Sequence, residues 1–356
     1  MKLHASKFVI GDREIGAGQP PFIIAEMSGN HNGSLERALA MVDAAAAAGA
    51  DALKIQTYTA ETMTLDVDRD EFIITDADSL WHGKSLYQLY QEAHTPWAWH
   101  KPIFDRCRER GLIGFSTPFD ETAVDFLESL DVPCYKIASF EIVDIPLIQK
   151  VAATGKPMIL STGMANLEEI GEAVTAAHNA GCHDLALLHC VSGYPTPAEE
   201  TNLRTLTDLA QKFDVITGLS DHTLGTAVAV ASVALGATLV EKHFTLRRAD
   251  GGPDAAFSLE PAELAALCEQ SHIAWSALGS ASYERKPSEM GNAMFRRSLY
   301  VVEDMAAGDI FTTRNLRSIR PGHGLSPKHL PEILGRRAGR ALKRGTALGW
   351  PMIAGG

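Results

Sequence analysis

Short apolar runs alternate with amphipathic stretches along the first three-quarters of the chain. Phe22-Ile23-Ile24-Ala25-Glu26 reads as a buried strand, and the alanine-rich stretch from Leu35 to Ala48 reads as a helix closed by Gly49. Ala52 to Thr57 predicts the second strand. Trp97 to Arg110 predicts a helix ended by Gly111, and Leu112 to Ser116 the third strand, with Asp120 placed to cap the helix after it. Five further apolar runs follow, at Cys134 to Ala138, Met158 to Ser161, Leu185 to His189, Val215 to Leu219 and Thr238 to His243. Continuous apolar strands separated by amphipathic helices predict a parallel sheet with its outer face covered. Eight such units in ~250 residues predict an α/β fold, a (β/α)8 TIM barrel. A doubly wound open sheet is the competing architecture. No Gly-x-Gly-x-x-Gly follows the first strand, so nothing recommends a dinucleotide-binding version of it.

Two segments break the pattern. Residues 59–95 form a long insertion after the second strand, with Phe72-Ile73-Ile74 and an aromatic stretch from Trp81 to Tyr90. A connection of that length is expected to be functional or a lid. Residues 281–295 read as a polar linker between a barrel over residues 1–280 and a small β-rich domain over residues 296–356.

Composition narrows the function class. Hydrophobic residues make up 46% of the 356 and charged residues 21%, which excludes a largely disordered chain. No apolar stretch approaches the ~18 residues of a membrane span. The first residues, Met1-Lys2-Leu3-His4, show no secretory apolar core, so a cytoplasmic location is expected. Five scattered cysteines without a Cys-x-x-Cys argue against a disulfide framework or a zinc ribbon. The net charge of −12 is uneven: residues 1–280 carry −19 and residues 281–356 carry +7. A basic tail suits either nucleic acid or an acidic barrel and its anionic substrate. The tail's arginines alternate with turn and core residues and the bulk of the chain repels phosphate backbones, which favours the second reading and no nucleic-acid partner.

Chemistry in a TIM barrel sits where the strands end at their C-termini. Those ends carry Glu26, Lys54 and Gln56, Ser116 and Thr117, Lys136 and Ser139, and Ser161 and Thr162. The later strands add His189 and Ser192, then Ser220, Asp221 and His222, and finally Glu241, Lys242 and His243. A hydroxyl there is often only a helix cap. An ammonium facing a barrel mouth is costly to desolvate, so two lysines among hydroxyls predict a site for a small phosphate- and carboxylate-bearing ligand. His222 and His243 end adjacent strands ~4.8 Å apart, where they can share a divalent metal or simply hydrogen-bond within the barrel. Glu26 suits a base, a water-orienting group or an ion-pair partner. The remaining histidines, including His31 and His100, are expected at the surface or at caps.

Several of these segments together resemble the sialic acid synthase family. They are Ile24 to His31, Lys54-Ile55-Gln56-Thr57-Tyr58, Phe115 to Phe119, Tyr135 to Ser139, Ser161-Thr162-Gly163-Met164, Gly218 to Thr223 and Glu241 to Thr245. The resemblance spans almost the whole chain. It implies a barrel followed by an antifreeze-like (SAF) domain, and a domain-swapped homodimer in which each small domain caps its partner's barrel. The implied reaction condenses phosphoenolpyruvate with an open-chain amino-sugar aldehyde. Gln56 to Thr59, Leu86 to Trp97, Ser139 to Asp144, Asp250 to Asp254 and Arg320 to Leu325 point to the branch whose sugar is 2,4-diacetamido-2,4,6-trideoxy-L-altrose. By the same resemblance Lys54, Thr117, Lys136, Ser139, Ser161 and Ser220 form the phosphoenolpyruvate shell, and Glu26 is the essential acid/base. His222 and His243 hold Mn2+ or Mg2+, and Tyr194, Asp254 and Arg320 contact the sugar. Ser192 departs from the asparagine of the N-acetylneuraminate branch, though its hydroxyl still suits an oxyanion. The insertion and Phe140 are the expected basis of sugar choice. The alternatives are the same chemistry on N-acetylmannosamine or a legionaminic acid precursor, and a non-catalytic sugar-phosphate-binding barrel.

Overall fold

The structure is a computed structural model that describes residues 7–76 and 81–355. The chain divides into two compact units, Met1–Gly279 and Ser280–Gly356. The first unit opens with a hairpin, β1 (Lys7–Ile10) and β2 (Arg13–Gly16). Eight strands follow: β3 (Phe22–Glu26), β4 (Ala52–Thr57), β5 (Ile113–Pro118), β6 (Tyr135–Ile137), β7 (Met158–Ser161), β8 (Leu185–Cys190), β9 (Ile216–Asp221) and β10 (Leu239–His243). Each pairs in parallel with the next, and β10 closes on β3, so the barrel of the sequence pattern is formed. Helices separate the strands. One is the Leu35–Ala47 helix, whose first N–H groups Ser34 caps, and another is the Glu121–Ser129 helix, capped by Asp120 as expected.

Side chains alternate across each strand, and the two faces join different cores. Phe22, Ile24, Ala52, Phe115, Cys134, Ile159, Ala186, Leu188, Ile216 and Leu239 fill the barrel interior. Ile23, Ala25, Leu53, Ile55, Tyr135, Ile137, Met158, Leu160, Leu185, Leu187 and Val240 pack outward against the helices. The hairpin supplies Phe8, Ile10 and Ile15 to the interior cluster. It therefore plugs the end where the strands begin. The period-two pattern of Lys7 to Ile10 signals it, but two four-residue strands are too short to stand out in a scan for barrel units.

The insertion is not an open loop. Thr59 starts a short helix, Ala60–Met63, and Ser85 caps a second, Leu86–Ala93, with the Ser85 hydroxyl accepting from Gln88 N–H at 3.1 Å. Tyr87 ties the two helices by donating to Glu61 at 2.6 Å. His31 and His100, expected at the surface, are buried instead. His31 Nε2 meets Thr95 Oγ1 and its ring stands edge-on to Trp99, while His100 Nε2 lies 2.8 Å from Thr57 Oγ1. Burial pushes both imidazoles down to about 4, so they serve as neutral core groups.

In the second unit β11 (Ser298–Val301) pairs antiparallel with β12 (Leu316–Ile319). Leu299, Val301, Phe311, Leu316, Ile333, Leu342 and Leu348 form its separate apolar core. The Pro287–Phe295 turn, in the segment expected to be a linker, is a 3-10 helix without a buried residue. No described helix is long and apolar enough to cross a membrane.

Truncating Ile10 to Ala removes a fully buried side chain from the barrel floor. The expected cost is about 2–5 kcal/mol of unfolding free energy, measured by urea titration, with kcat unchanged because the reacting end of the strands is untouched.

Candidate active site

Strand register builds the site. Glu26 pairs across the sheet with Lys54 on one side and His243 on the other, so these three share one rung. Gln56 pairs with Thr117, Ser220 with Glu241, and Cys190 with Ser220. All lie past the last apolar layer of the interior. The cavity they open has a volume of about 390 Å³. Its lining includes Glu26, Lys54, Lys136, Ser139, Ser161, Ser192, Tyr194, Ser220, His222, Glu241, His243 and Asp254. All of these but Glu241 are predicted site residues, which the structure thus brings together around one mouth, and Thr117 reaches it through Lys54. Arg320 belongs to the second unit, where it is exposed just after β12.

Alternation separates the working groups from the bystanders. Ser116, His189, Asp221 and Lys242 were all expected at the mouth but point outward. Ser116 Oγ lies 2.6 Å from Thr57 Oγ1, and His189 Nε2 donates to Thr201 O at 2.6 Å. Lys242 forms a buried ion pair with Asp221 at 2.6 Å. Each had the right height on its strand and the wrong parity.

Inside the mouth, charges interlock. Glu26 Oε2 is 2.7 Å from Lys54 Nζ, and Glu26 Oε1 accepts from Gln56 Nε2 at 3.0 Å. Lys54 also donates to Thr117 Oγ1 at 3.1 Å. Glu241 Oε1 receives Lys136 at 3.3 Å, Lys54 at 3.5 Å and Ser220 Oγ at 3.4 Å. Burial raises the Glu26 carboxyl, with Lys54 opposing. Burial would raise Glu241 as well, but Lys136 and Lys54 more than offset it and hold its carboxyl low. Two carboxylates of one type thus differ because one faces a single ammonium and the other faces two.

Another part of the lining is made of hydroxyls. Gly163 N–H donates to Ser139 Oγ at 3.1 Å, and Ser161 Oγ is buried with no hydrogen-bond partner among the described residues. A β-carbon on Gly163 would come within 2.6 Å of Ser139 Oγ, so only glycine lets the loop close on the serines.

The two imidazoles stand 5.4 Å apart between ring centres. His222 Nδ1 donates to Val191 O at 2.9 Å, which in the neutral ring places the lone pair on Nε2. His243 Nδ1 is buried and unpartnered among the described residues, with Asp254 Oδ2 3.6 Å away. Burial, with His222 nearby, holds His243 well below the usual imidazole range. A neutral, orphaned imidazole beside a pre-oriented one fits a divalent metal. Among the described residues no group of three His, Cys, Asp or Glu side chains is arranged to hold an ion, so the pair would leave positions for other ligands.

Aromatic groups wall the outer half. Trp81 of the insertion donates its indole N–H to Pro253 O at 3.1 Å and lies 6.3 Å from the Tyr194 ring. Tyr58 stands edge-on to Tyr90 and Phe119. Met63, Leu89 and Phe140 complete an apolar flank. Sequence reasoning assigned no role to Glu241 or Glu141. Glu241 was visible as a charge ending an apolar strand, whereas nothing in the local pattern marks Glu141. Glu141 lines the cavity with Oε2 buried and unpartnered among the described residues, and burial lifts it from 4.5 to about 7.

Comparison with known proteins places this geometry. The NeuB family profile matches residues 41–283 and the SAF domain profile residues 296–354. The chain is 43% identical over 327 residues to the pseudaminic acid synthase of Campylobacter jejuni, covering 92% of this chain and 95% of that one. It is 42% identical over 331 residues to the Helicobacter pylori pseudaminic acid synthase, covering 93% and 97%. Among solved structures, N-acetylneuraminic acid (sialic acid) synthetase from Leptospira borgpetersenii, crystallised with citrate, superposes with a TM-score of 0.73 at 32% identity. That match covers 82% of this chain and 96% of the other.

Glu141 supplies a pH dependence. The folded chain keeps its proton up to about pH 7, while the unfolded chain releases it near 4.5. The folded state therefore binds more protons in that window, and stability falls as pH rises through it. Glu141→Gln is expected to make the unfolding free energy of the ligand-free protein fall less between pH 5 and 7.5. The difference is about 2 kcal/mol, followed by thermal or urea melts at each pH.

Proposed function

This chain belongs to the NeuB family of sialic acid synthases, and from that premise we propose that it condenses phosphoenolpyruvate with 2,4-diacetamido-2,4,6-trideoxy-L-altrose. The sugar reacts as its open-chain aldehyde, water is consumed, and the products are pseudaminic acid and phosphate. The observation that carries this reading is the pair of buried lysines facing the pair of imidazoles across one mouth, in a chain so similar to the Campylobacter and Helicobacter synthases.

In the mechanism, Lys136 and Lys54 hold the phosphoenolpyruvate anion, with Ser139, Ser161, Ser192, Ser220 and Thr117 as the supporting hydroxyls. The methylene carbon of phosphoenolpyruvate attacks the aldehyde carbon, and the carbonyl electron pair moves to its oxygen, which takes a proton from solvent water. His222 and His243 would hold Mn2+ or Mg2+, which when bound supplies Lewis-acid polarisation of the aldehyde. Positive charge develops at the carbon bearing phosphate, and water adds there. Glu26 orients that water and accepts its proton. Burial raises its carboxyl above the ordinary carboxylate range, which favours its taking up a proton and later returning it. The tetrahedral carbon then expels phosphate by C–O cleavage. Tyr194 and Asp254 contact the sugar chain, and Met63, Trp81, Leu89 and Phe140 face its methyl groups.

The working form is a homodimer in the cytoplasm, each copy covering its partner's barrel mouth with the second unit so that Arg320 reaches the partner's sugar. Phe140, Val143, Met164, Leu167 and Leu224 are exposed on the segments that follow β6, β7 and β9, and an apolar rim of that kind favours a cover. The acidic barrel segment and basic tail attract one another.

Incubation with phosphoenolpyruvate and the altrose derivative is expected to release phosphate and yield a nine-carbon acid of the correct mass. Release should stop on chelation and resume with Mn2+ or Mg2+. Faster release with N-acetylmannosamine would replace the sugar assignment, and full activity after exhaustive chelation would remove the metal. Glu26→Gln should retain the fold and lose at least about a thousandfold in kcat. Arg320→Ala alone should be severely impaired. Co-expression of these two variants should restore activity that neither shows alone, because a mixed dimer carries one intact site. Absence of restoration argues against action in trans.

A further inference from the structure

We infer that Glu241 is a positioning residue that acts through Lys54 and Lys136. It keeps the vacant anion cradle electrically balanced and loosens the grip on the incoming anion, in a way that speeds turnover. The inference rests on the phosphoenolpyruvate reading above. One oxygen of Glu241 collects both ammonium groups, at 3.3 Å from Lys136 and 3.5 Å from Lys54, and also Ser220 Oγ at 3.4 Å. Its other oxygen is buried and unpartnered among the described residues, in a side chain that lines the cavity. Lys54 has Glu26 as a second carboxylate at 2.7 Å. Among the described ion pairs, Lys136 has only Glu241.

The charge count follows. Lys54 and Lys136 face Glu26 and Glu241, two against two. Removing Glu241 leaves two buried ammonium groups sharing one carboxylate, and burial already pushes Lys136 down. A phosphate or carboxylate of the reactant must take over the donors that Glu241 now receives, against the repulsion of its fixed charge. That opposes binding of the ground state, which is an anion. The same charge then favours the step in which the phosphate-bearing carbon becomes cationic. An interaction unfavourable to the ground state and favourable to the transition state raises kcat and not affinity.

The test uses the full-length protein. Affinities for inorganic phosphate and for phosphoenolpyruvate are measured calorimetrically without aldehyde, and kcat and KM with it. For Glu241→Gln the expected result is about tenfold tighter binding of both anions together with about tenfold slower turnover. Glu241→Asp keeps the charge but retracts it by one methylene. It should move both quantities in the same directions by about threefold, which preserves the test if the glutamine variant fails to fold. Weaker anion binding in either variant overturns the inference and makes Glu241 a structural brace; so does tighter binding with unchanged kcat. A wild-type protein that binds inorganic phosphate but not phosphoenolpyruvate would sink the reading of the reaction instead, and the phosphate arm would still decide Glu241.

Discussion

Everything in the barrel mouth depends on keeping two ammonium groups inside a protein. Lys54 and Lys136 are 3% and 2% exposed, and an isolated charge there would cost several kcal/mol. Glu26 and Glu241 offset that cost, and the barrel supplies the rest by bringing side chains from neighbouring rungs into contact. Such a network adds little net stability compared with an apolar filling of the same volume. Its presence is therefore better understood as chemistry than as architecture. The contrast with Lys242 and Asp221 is instructive. That pair has equally low exposure but faces away from the mouth, where the two charges satisfy each other and Thr223, and neither lines the cavity that holds Lys54 and Lys136.

Ordering of the site comes from rigid elements rather than loops. The charged residues and both imidazoles sit at or just past strand ends, so their positions follow from register. The outer wall is different. It is built from the two helices of the insertion, and Trp81 pins it to Pro253 beside Asp254. A division of labour results: the strands fix the charged groups and imidazoles, while the insertion walls the outer part of the cavity.

Much of this was legible from residue order. A run of apolar residues that ends in Glu26, Lys54, Lys136 or His243 has no simple structural explanation, and that discontinuity marked the mouth. Less legible was which side of the wall each strand-end residue faces. His189 and Ser220 stand on neighbouring strands at similar heights, yet one faces helices and the other the cavity, because parity depends on where pairing begins. Glu241 shows a further limit. Its charge was apparent, but its hold on two lysines from other strands appears only once β10 closes against β3. His31 and His100 were misplaced for a related reason: their burial is created by Trp99, Thr95 and Thr57, which reach them through tertiary packing. The N-terminal hairpin escaped because its eight strand residues make sense only as a stopper for a barrel already closed.

Closure of the ring between the first and last barrel strands joins groups very distant in the chain; the Asn30 amide, for example, donates to Phe244 O 214 residues away. Because Glu26 and His243 meet across that seam, the chemistry is created by the same event that completes the cylinder. A nascent chain still lacking its final barrel strand holds Lys54 and Lys136 without Glu241, and has no finished cradle. During synthesis the enzyme thus stays mute until some two-thirds of it has emerged, and a local breach of the seam would silence it while most of the remaining wall still stood.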